Sequence, residues 1–327
     1  MRSRNFGPLF IVLSAMLWSL CGIFTKAVQW DPVSVCTVRG IVALPVIAAV
    51  CRPFPLRLNR TRVLSAVCYF TQGLLFIMAN RYTTAANATV LQYTSPIYIL
   101  ILTALITRKL PRRKDIVTCL ILFAGIAMAF CGNLSGGGML GNVLALASGL
   151  FYAGVFYCSG QPDADAVTSL LLGNALYLLL LPWVLLSPAV RGAPLRDLGV
   201  VLLFGLIVGA VAWLCFARGV RTTPPLQANF IAMLEPVLAP MWTFLFLGEK
   251  MTVLSLVGCA VVIVTLMVSQ AMDARNAMAT SWSPSIQQRI SDGIMNTSVT
   301  NRMELTILPI SLIFMSALTP QKYPAAA

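Results

Sequence analysis

A chain of 327 residues that is 58% hydrophobic and only 10% charged cannot cover a water-exposed globule, in which roughly 25% of residues are charged. A net charge of +13 on a soluble protein would suggest nucleic acid. Here the charges fall in short breaks between apolar blocks, where they set orientation in a bilayer, and a nucleic-acid partner is excluded.

The first apolar block, 6–27, follows Met1-Arg-Ser-Arg. That start resembles a signal peptide, but the run is long and lacks a clear cleavage site, so it reads as a retained first helix. Further helices are expected over 32–51, 62–80, 84–107, 114–131, 139–158, 166–187, 196–218, 226–247 and 251–271. Each is near the roughly 20 residues that a bilayer core requires of a helix. Membrane strands would alternate apolar and polar residues over about half that length.

The chain is thus expected to be an all-α membrane protein with ten transmembrane helices. With the N-terminus inside, the inner breaks of the first half hold Arg2, Arg4, Arg52, Arg57, Arg60, Arg62, Arg108, Lys109, Arg112, Arg113 and Lys114. The outer breaks there hold only Lys26 and Arg81. This bias puts the N-terminus in the cytoplasm, and an even helix count returns the C-terminus there. The second half is weakly biased, with Arg218 and Arg221 inside against Arg191, Arg196 and Lys250 outside. From 273 to 327 the chain turns polar, with one apolar stretch, 306–318, too short to span. A largely disordered cytoplasmic tail is expected.

Nine cysteines lie in or beside the apolar blocks without a C-x-x-C pair. They read as packing residues, and neither a disulfide framework nor a zinc site is expected.

A shift of 140 residues aligns two regions without a gap. Leu74 falls on Leu214, Phe76 on Phe216, Arg81 on Arg221, Thr83 on Thr223, Ala88 on Ala228, Pro96 on Pro236 and Cys119 on Cys259. A slightly smaller shift places Gly7 on Gly141, Ser14 on Ser148 and Trp18 on Tyr152. The repeat holds about five helices, an odd number, so the second copy enters from the opposite side. Such two five-helix inverted repeats are how many secondary transporters surround a central site. The boundaries expected are 1–135 for the first repeat, 136–272 for the second and 273–327 for the tail.

The stretch Ala217-Arg-Gly-Val-Arg-Thr-Thr-Pro, then Leu234-Glu-Pro and Leu247-Gly-Glu-Lys, resembles the C-terminal half of an EamA-type transporter of the drug/metabolite transporter superfamily. Ser14-Ala-Met-Leu-Trp18-Ser followed by Phe24-Thr-Lys26 resembles that family's first helix. The resemblance spans about residues 6–271. It implies ten helices in two inverted repeats that move small organic metabolites such as amino acids, commonly outward. One departure is that Arg108-Lys109 stands in the first copy where the second has Gly248-Glu249.

Glu235 is the foremost candidate for solute handling. It lies near the middle of the ninth block, where an ionisable group costs roughly 2.5–3.5 kcal/mol on insertion scales and is functional by default. Pro236 and its counterpart Pro96 are expected to kink their helices. Helical spacing sets Ala228, Ala232, Glu235 and Ala239 in one stripe, and Ala88, Gln92, Ser95 and Ile99 in another. These stripes either line a pathway or mark close helix packing.

Gln72 is a buried polar candidate, and Trp18, Tyr93, Tyr98, Tyr152 and Trp213 could stack on a solute or simply pack. Arg39, a third of the way into the second block, could pair with a carboxylate or an anionic solute, though such an arginine more often snorkels to the interface, and snorkelling is the expectation. Asn80, Asn87, Asn174 and Asn229 suit capping or interhelical bonds. Gly205 and Gly209 suit a close-packing face, and Asp163 and Asp165 suit a solvated loop.

The chain has no histidine, which removes histidine relays and histidine metal sites. Gly136-Gly-Gly lacks the G-K-[ST] of a phosphate loop. No enzyme activity, cofactor or metal is expected. The partners expected are a small organic solute and the lipid bilayer, and a homodimer is compatible with the class. A non-transporting sensor or scaffold that retains the fold is the alternative, separable by flux in liposomes.

Overall fold

The computed structural model describes residues 6–50, 58–131, 138–247 and 252–281. Among them the secondary structure is helical, with no strand. Arg2, Arg4, Cys51, Arg52, Arg57, Gly136, Gly248, Glu249, Lys250 and the 306–318 stretch lie outside the described residues.

The first block forms α1 (Gly7–Trp18) and α2 (Cys21–Lys26). The unexpected break between them follows from Ser19, whose hydroxyl donates to the Met16 carbonyl at 2.6 Å, a local bond that competes with helix geometry. Next come α3 (Pro32–Val50), α4 (Arg60–Tyr82), α5 (Ala85–Gln92), α6 (Ser95–Thr107), α7 (Arg113–Phe130) and α8 (Met139–Ser159). The seventh block runs from α9 (Ala166–Leu176) through a 3-10 turn at Tyr177–Leu180 into α10 (Leu181–Leu186), and the short α11 (Pro188–Arg191) follows. The eighth is α12 (Leu195–Phe204), a π-helical stretch at Gly205–Val211 and α13 (Ala212–Gly219). The chain continues through α14 (Pro225–Ala232), α15 (Glu235–Leu247) and α16 (Val253–Ser281).

Eight stretches among the described residues are long and apolar enough to cross a membrane: Gly7–Thr25, Pro32–Val50, Arg60–Tyr82, Ala86–Thr107, Met139–Ser159, Ala166–Leu186, Leu195–Gly219 and Val253–Asp273. The expected helices at 114–131 and 226–247 form, as α7 and as α14 with α15, but stand outside that set. Arg113, Lys114 and Asp115 crowd the start of the 18-residue α7, and α14 and α15 are only 8 and 13 residues long on either side of a break. Leu9, Leu64, Leu105, Leu120 and Leu203 point outward and exposed, as a lipid-facing surface requires.

The chain divides into two compact units, Met1–Ile263 and Val264–Ala327. In the second, helix continues to Ser281, past the expected end at 271. In the first, α4 packs on α8 and α9, while α13 and the π-helical stretch pack on α1 and α3. These partnerships correspond under the repeat.

So do individual contacts. Ser14 Oγ donates to the Ala212 carbonyl at 2.8 Å, and Ser148 Oγ donates to the Gln72 carbonyl at 3.2 Å. A Cβ on Gly7 would collide with Thr223, and one on Gly141 with Thr83. Only a glycine allows the helix start to lie that close to its neighbour. Gly205 and Gly209 likewise abut α3, against Val42 and Arg39.

The loop acids are not merely solvated. Asp165 caps α9, accepting from Val167 N at 3.3 Å and Thr168 Oγ1 at 2.6 Å. Asp31 caps α3 in the same way, accepting from Ser34 N at 2.9 Å, and also takes Ser187 Oγ at 2.8 Å and Trp183 Nε1 at 3.1 Å. Asp163 accepts from Thr61 Oγ1 at 3.0 Å through its carboxylate. Its backbone carbonyl takes Asn59 Nδ2 at 2.8 Å and Arg62 Nε at 3.2 Å.

Candidate functional site

The site grows from two helix breaks. The α5 helix stops at Gln92 and α6 restarts at Ser95; α14 stops at Ala232 and α15 restarts at Glu235. All four boundaries coincide under the 140-residue shift. The cause is shared: Pro96 and Pro236 each lack an N–H and clash with the preceding turn, so each sits in the first turn of the restarted helix.

The breaks meet. Tyr93 Oη, from the first, donates to Glu235 Oε2 at 2.6 Å and lies 3.5 Å from the Ala232 carbonyl in the second. Ser95 Oγ bonds Asn229 Oδ1 at 3.1 Å.

A cavity of about 890 Å³ opens beside this junction. Its floor is a connected polar group in which Gln92 Nε2 donates to Gln72 Oε1 at 3.2 Å and to Ser148 Oγ at 2.8 Å. Its wall is aromatic. The Trp18 ring centroid lies 4.6 Å from that of Trp213 and 6.3 Å from that of Tyr152, and Tyr152 lies 6.2 Å from Tyr93 in an edge-on pair. The lining reaches the surface, at its mouth, with the exposed Thr25 and Arg81, beside the half-buried Thr84 and the buried Trp30. These positions cluster where α2 ends, α3 begins, α4 ends and α5 begins.

Glu235, Gln92, Gln72, Trp18, Tyr152 and Trp213, expected from sequence as candidates, all border this one cavity. Ser95 does not; it is fully buried against Asn229. Of the small-residue stripes, Glu235, Ala239 and Gln92 reach the cavity, whereas Ala88 packs with Ala79 and Ala145. The stripes therefore divide between lining and packing.

The sequence offered Tyr93 as an aromatic that stacks on a solute or packs; its hydrogen bond to Glu235 was not foreseen. Its position beside Gln92, just before Pro96, was the available signal. Arg39 departs from its expected snorkelling. It is 8% exposed and borders the cavity, its guanidinium 5.5 Å from the Phe204 ring and its Nη2 3.7 Å from Cys36 Sγ. Gly205 and Gly209 pack closely on its backbone, and the guanidinium stays buried within the bundle. Among the described residues no cluster of His, Cys, Asp or Glu is arranged to hold a metal ion.

Apolar helices around an internal cavity with a polar floor define a multi-pass α-helical membrane protein. Residues 5–131 and 139–270 each match the EamA-like transporter family. The chain belongs to that family, and so to the drug/metabolite transporter superfamily. An uncharacterized transporter of Archaeoglobus fulgidus is 27% identical over 279 residues, covering 82% of this chain and 97% of that protein. The uncharacterized transporter YwfM of Bacillus subtilis is 28% identical over 229 residues, covering 66% and 75%. A solved crystal structure of a protein overlays with a TM-score of 0.68 at 17% identity, covering 83% of this chain and 99% of that one; that likeness speaks for the fold alone.

Proposed function

We propose that this chain is a secondary transporter that exports small organic metabolites such as amino acids across the cell membrane by alternating access. Its ten helices, α7 and the broken α14–α15 pair included, form two five-helix inverted repeats with both termini in the cytoplasm. The observation that carries this reading is a solute-sized cavity set against two helix breaks whose boundaries match under the repeat. Broken helices near the bilayer midplane are how repeat-built transporters form their solute sites. Irregular backbone at that depth is tolerated where it borders a cavity or lies within protein.

The paired contacts support the inversion. Ser14 with Ala212 and Ser148 with Gln72 join the repeats in the same way twice, as do Gly7 with Thr223 and Gly141 with Thr83. With a cytoplasmic N-terminus the mouth at Trp30, Arg81 and Thr84 faces outward, and the opposite end, at Gly7 and Gly219, contributes nothing to the cavity lining. The conformation is then outward-open.

Glu235 takes the role of the group that contacts solute or carries a coupled proton. It is the sole carboxylate on the cavity lining among the described residues. The test is solute flux in proteoliposomes at several pH values. Glu235→Gln is expected to lower flux at least tenfold and flatten its pH dependence. Unchanged flux and an unchanged pH profile would remove Glu235 from the pathway, and an absence of flux for any metabolite in the wild type would refute transport itself.

A further inference from the structure

We propose that Arg39 is an anion-binding subsite and that the solute carries a carboxylate which docks on its guanidinium. The inference rests on the transport reading above and narrows its substrate class.

A guanidinium stays charged at any working pH. Within a membrane bundle such a charge pairs with an acid, with backbone carbonyls or with a functional ligand. Arg39 is more than nine-tenths buried and borders the cavity, and among the described residues no carboxylate lies within ion-pair distance of it, Glu235 on the same lining interacting with it only at longer range. Its neighbours are a thiol, Cys36 Sγ at 3.7 Å from Nη2, and the face of Phe204, 5.5 Å from the guanidinium carbon. Its Nε–H has no acceptor at all. The indole N–H groups of Trp18 and Trp30, two further rings on the same cavity, also lack acceptors. These three nitrogens are themselves buried, so they mark a shortage of acceptors in the protein around the cavity rather than donors exposed to it. A carboxylate, with two acceptor oxygens in one plane, matches the guanidinium fork.

The cavity also speaks against a dianion such as a phosphate ester. Arg39 is the one buried cation on the lining, since Arg81 is exposed at the mouth. Glu235 on the same lining disfavours a second negative charge on the solute. The rings of Trp18, Tyr152 and Trp213 suit an apolar body between the two charged groups.

The experiment uses the purified full chain in proteoliposomes loaded with matched solutes. Phenylalanine, 3-phenylpropionate and leucine carry the carboxylate; phenethylamine and isoamylamine lack it. Efflux is followed by mass spectrometry, and thermal stabilisation by each solute is measured in detergent. The wild type is expected to release the carboxylate-bearing members at least tenfold faster than the amines. Arg39→Gln is expected to erase that preference, and Arg39→Lys to retain part of it.

Equal release of acids and amines by the wild type, or a preference that survives Arg39→Gln, overturns the subsite. Should the wild type release none of the panel, the transport reading fails for these solutes and the thermal shift decides alone. Stabilisation by carboxylates in the wild type but not in Arg39→Gln upholds the subsite, and stabilisation by none of them overturns it. Should Arg39→Gln fail to elute as a monodisperse species, the acid-to-amine ratio of the wild type decides.

Discussion

The break between α5 and α6 and the break between α14 and α15 share a backbone and differ in chemistry. Both interrupt a helix two residues before the restart and place a proline in the next turn. The first offers Gln92, Tyr93 and Ser95; the second offers Ala232, Met233 and Glu235. The bend recurs in both family-matching segments, and the polar groups around it differ. The first break holds the donors and the second holds the acid, joined by the bond from Tyr93 to Glu235.

The sharpest way to break this comparison is to force the chemistry of the second copy onto the first. Ser95→Glu forces a longer, charged side chain into a fully buried site packed against Asn229. It is expected to destabilise the fold by about 3 kcal/mol or more, read as a large fall in the thermal midpoint in detergent. A midpoint near the wild type would show that the two breaks are interchangeable.

Next in size is a matched pair, Gly7→Val and Gly141→Val. Each is expected to lower stability by about 1–3 kcal/mol through overpacking, and the two falls should be similar if the helix starts are equivalent. A loss at one site with none at the other would separate the repeats.

Smaller still is Tyr93→Phe, which deletes one donor to Glu235 at constant shape. Such a bond contributes about 1 kcal/mol to stability, so the thermal midpoint should fall by about 2–4 °C, and a fall in initial flux beyond that of an equally destabilised control would show that the bond also positions Glu235.

The smallest effect concerns the two caps, Asp31 and Asp165. Burial pushes the Asp31 carboxyl up, but hydrogen bonds from Ser34, Ser187 and Trp183 outweigh it and hold the group below its ordinary 3.8. Because the folded value is depressed, the stability it adds is present above 3.8 and is lost as the pH falls through the lowered value. Asp31→Asn should therefore cost about 0.5–1 kcal/mol at neutral pH, and thermal unfolding of variant and wild type should converge as the pH drops below 3.8.

Periodicity and the repeat carried much of this architecture in advance. The breaks before Pro96 and Pro236 were legible because proline acts on its own chain, whatever the surroundings. The same holds for the shared register of Ser14 with Ser148, since equivalent helix positions reuse equivalent contacts. What escaped was partnership across the bundle. Apolar spacing does not say which helix faces Arg39, so an arginine buried beside Gly205 and Gly209 read as one that snorkels. Asp163 and Asp165 read as loop acids because their partners Thr61 and Thr168 can be recognised only once the helix ends are placed. Ser95 shared a stripe with Gln92, yet the bend between them turns one toward the cavity and the other into Asn229.

The bonds that Asp163 makes with Asn59, Thr61 and Arg62 fasten the entry of α4 to the connection between α8 and α9. With α4 packed along α8 and α9, those three helices are held at one end as well as along their length. Under the alternating access proposed above, bending would fall to the interrupted helices, at Ser19, at the two proline breaks and in the π-helical stretch, and a crosslink between residues 61 and 163 is expected to leave flux unchanged.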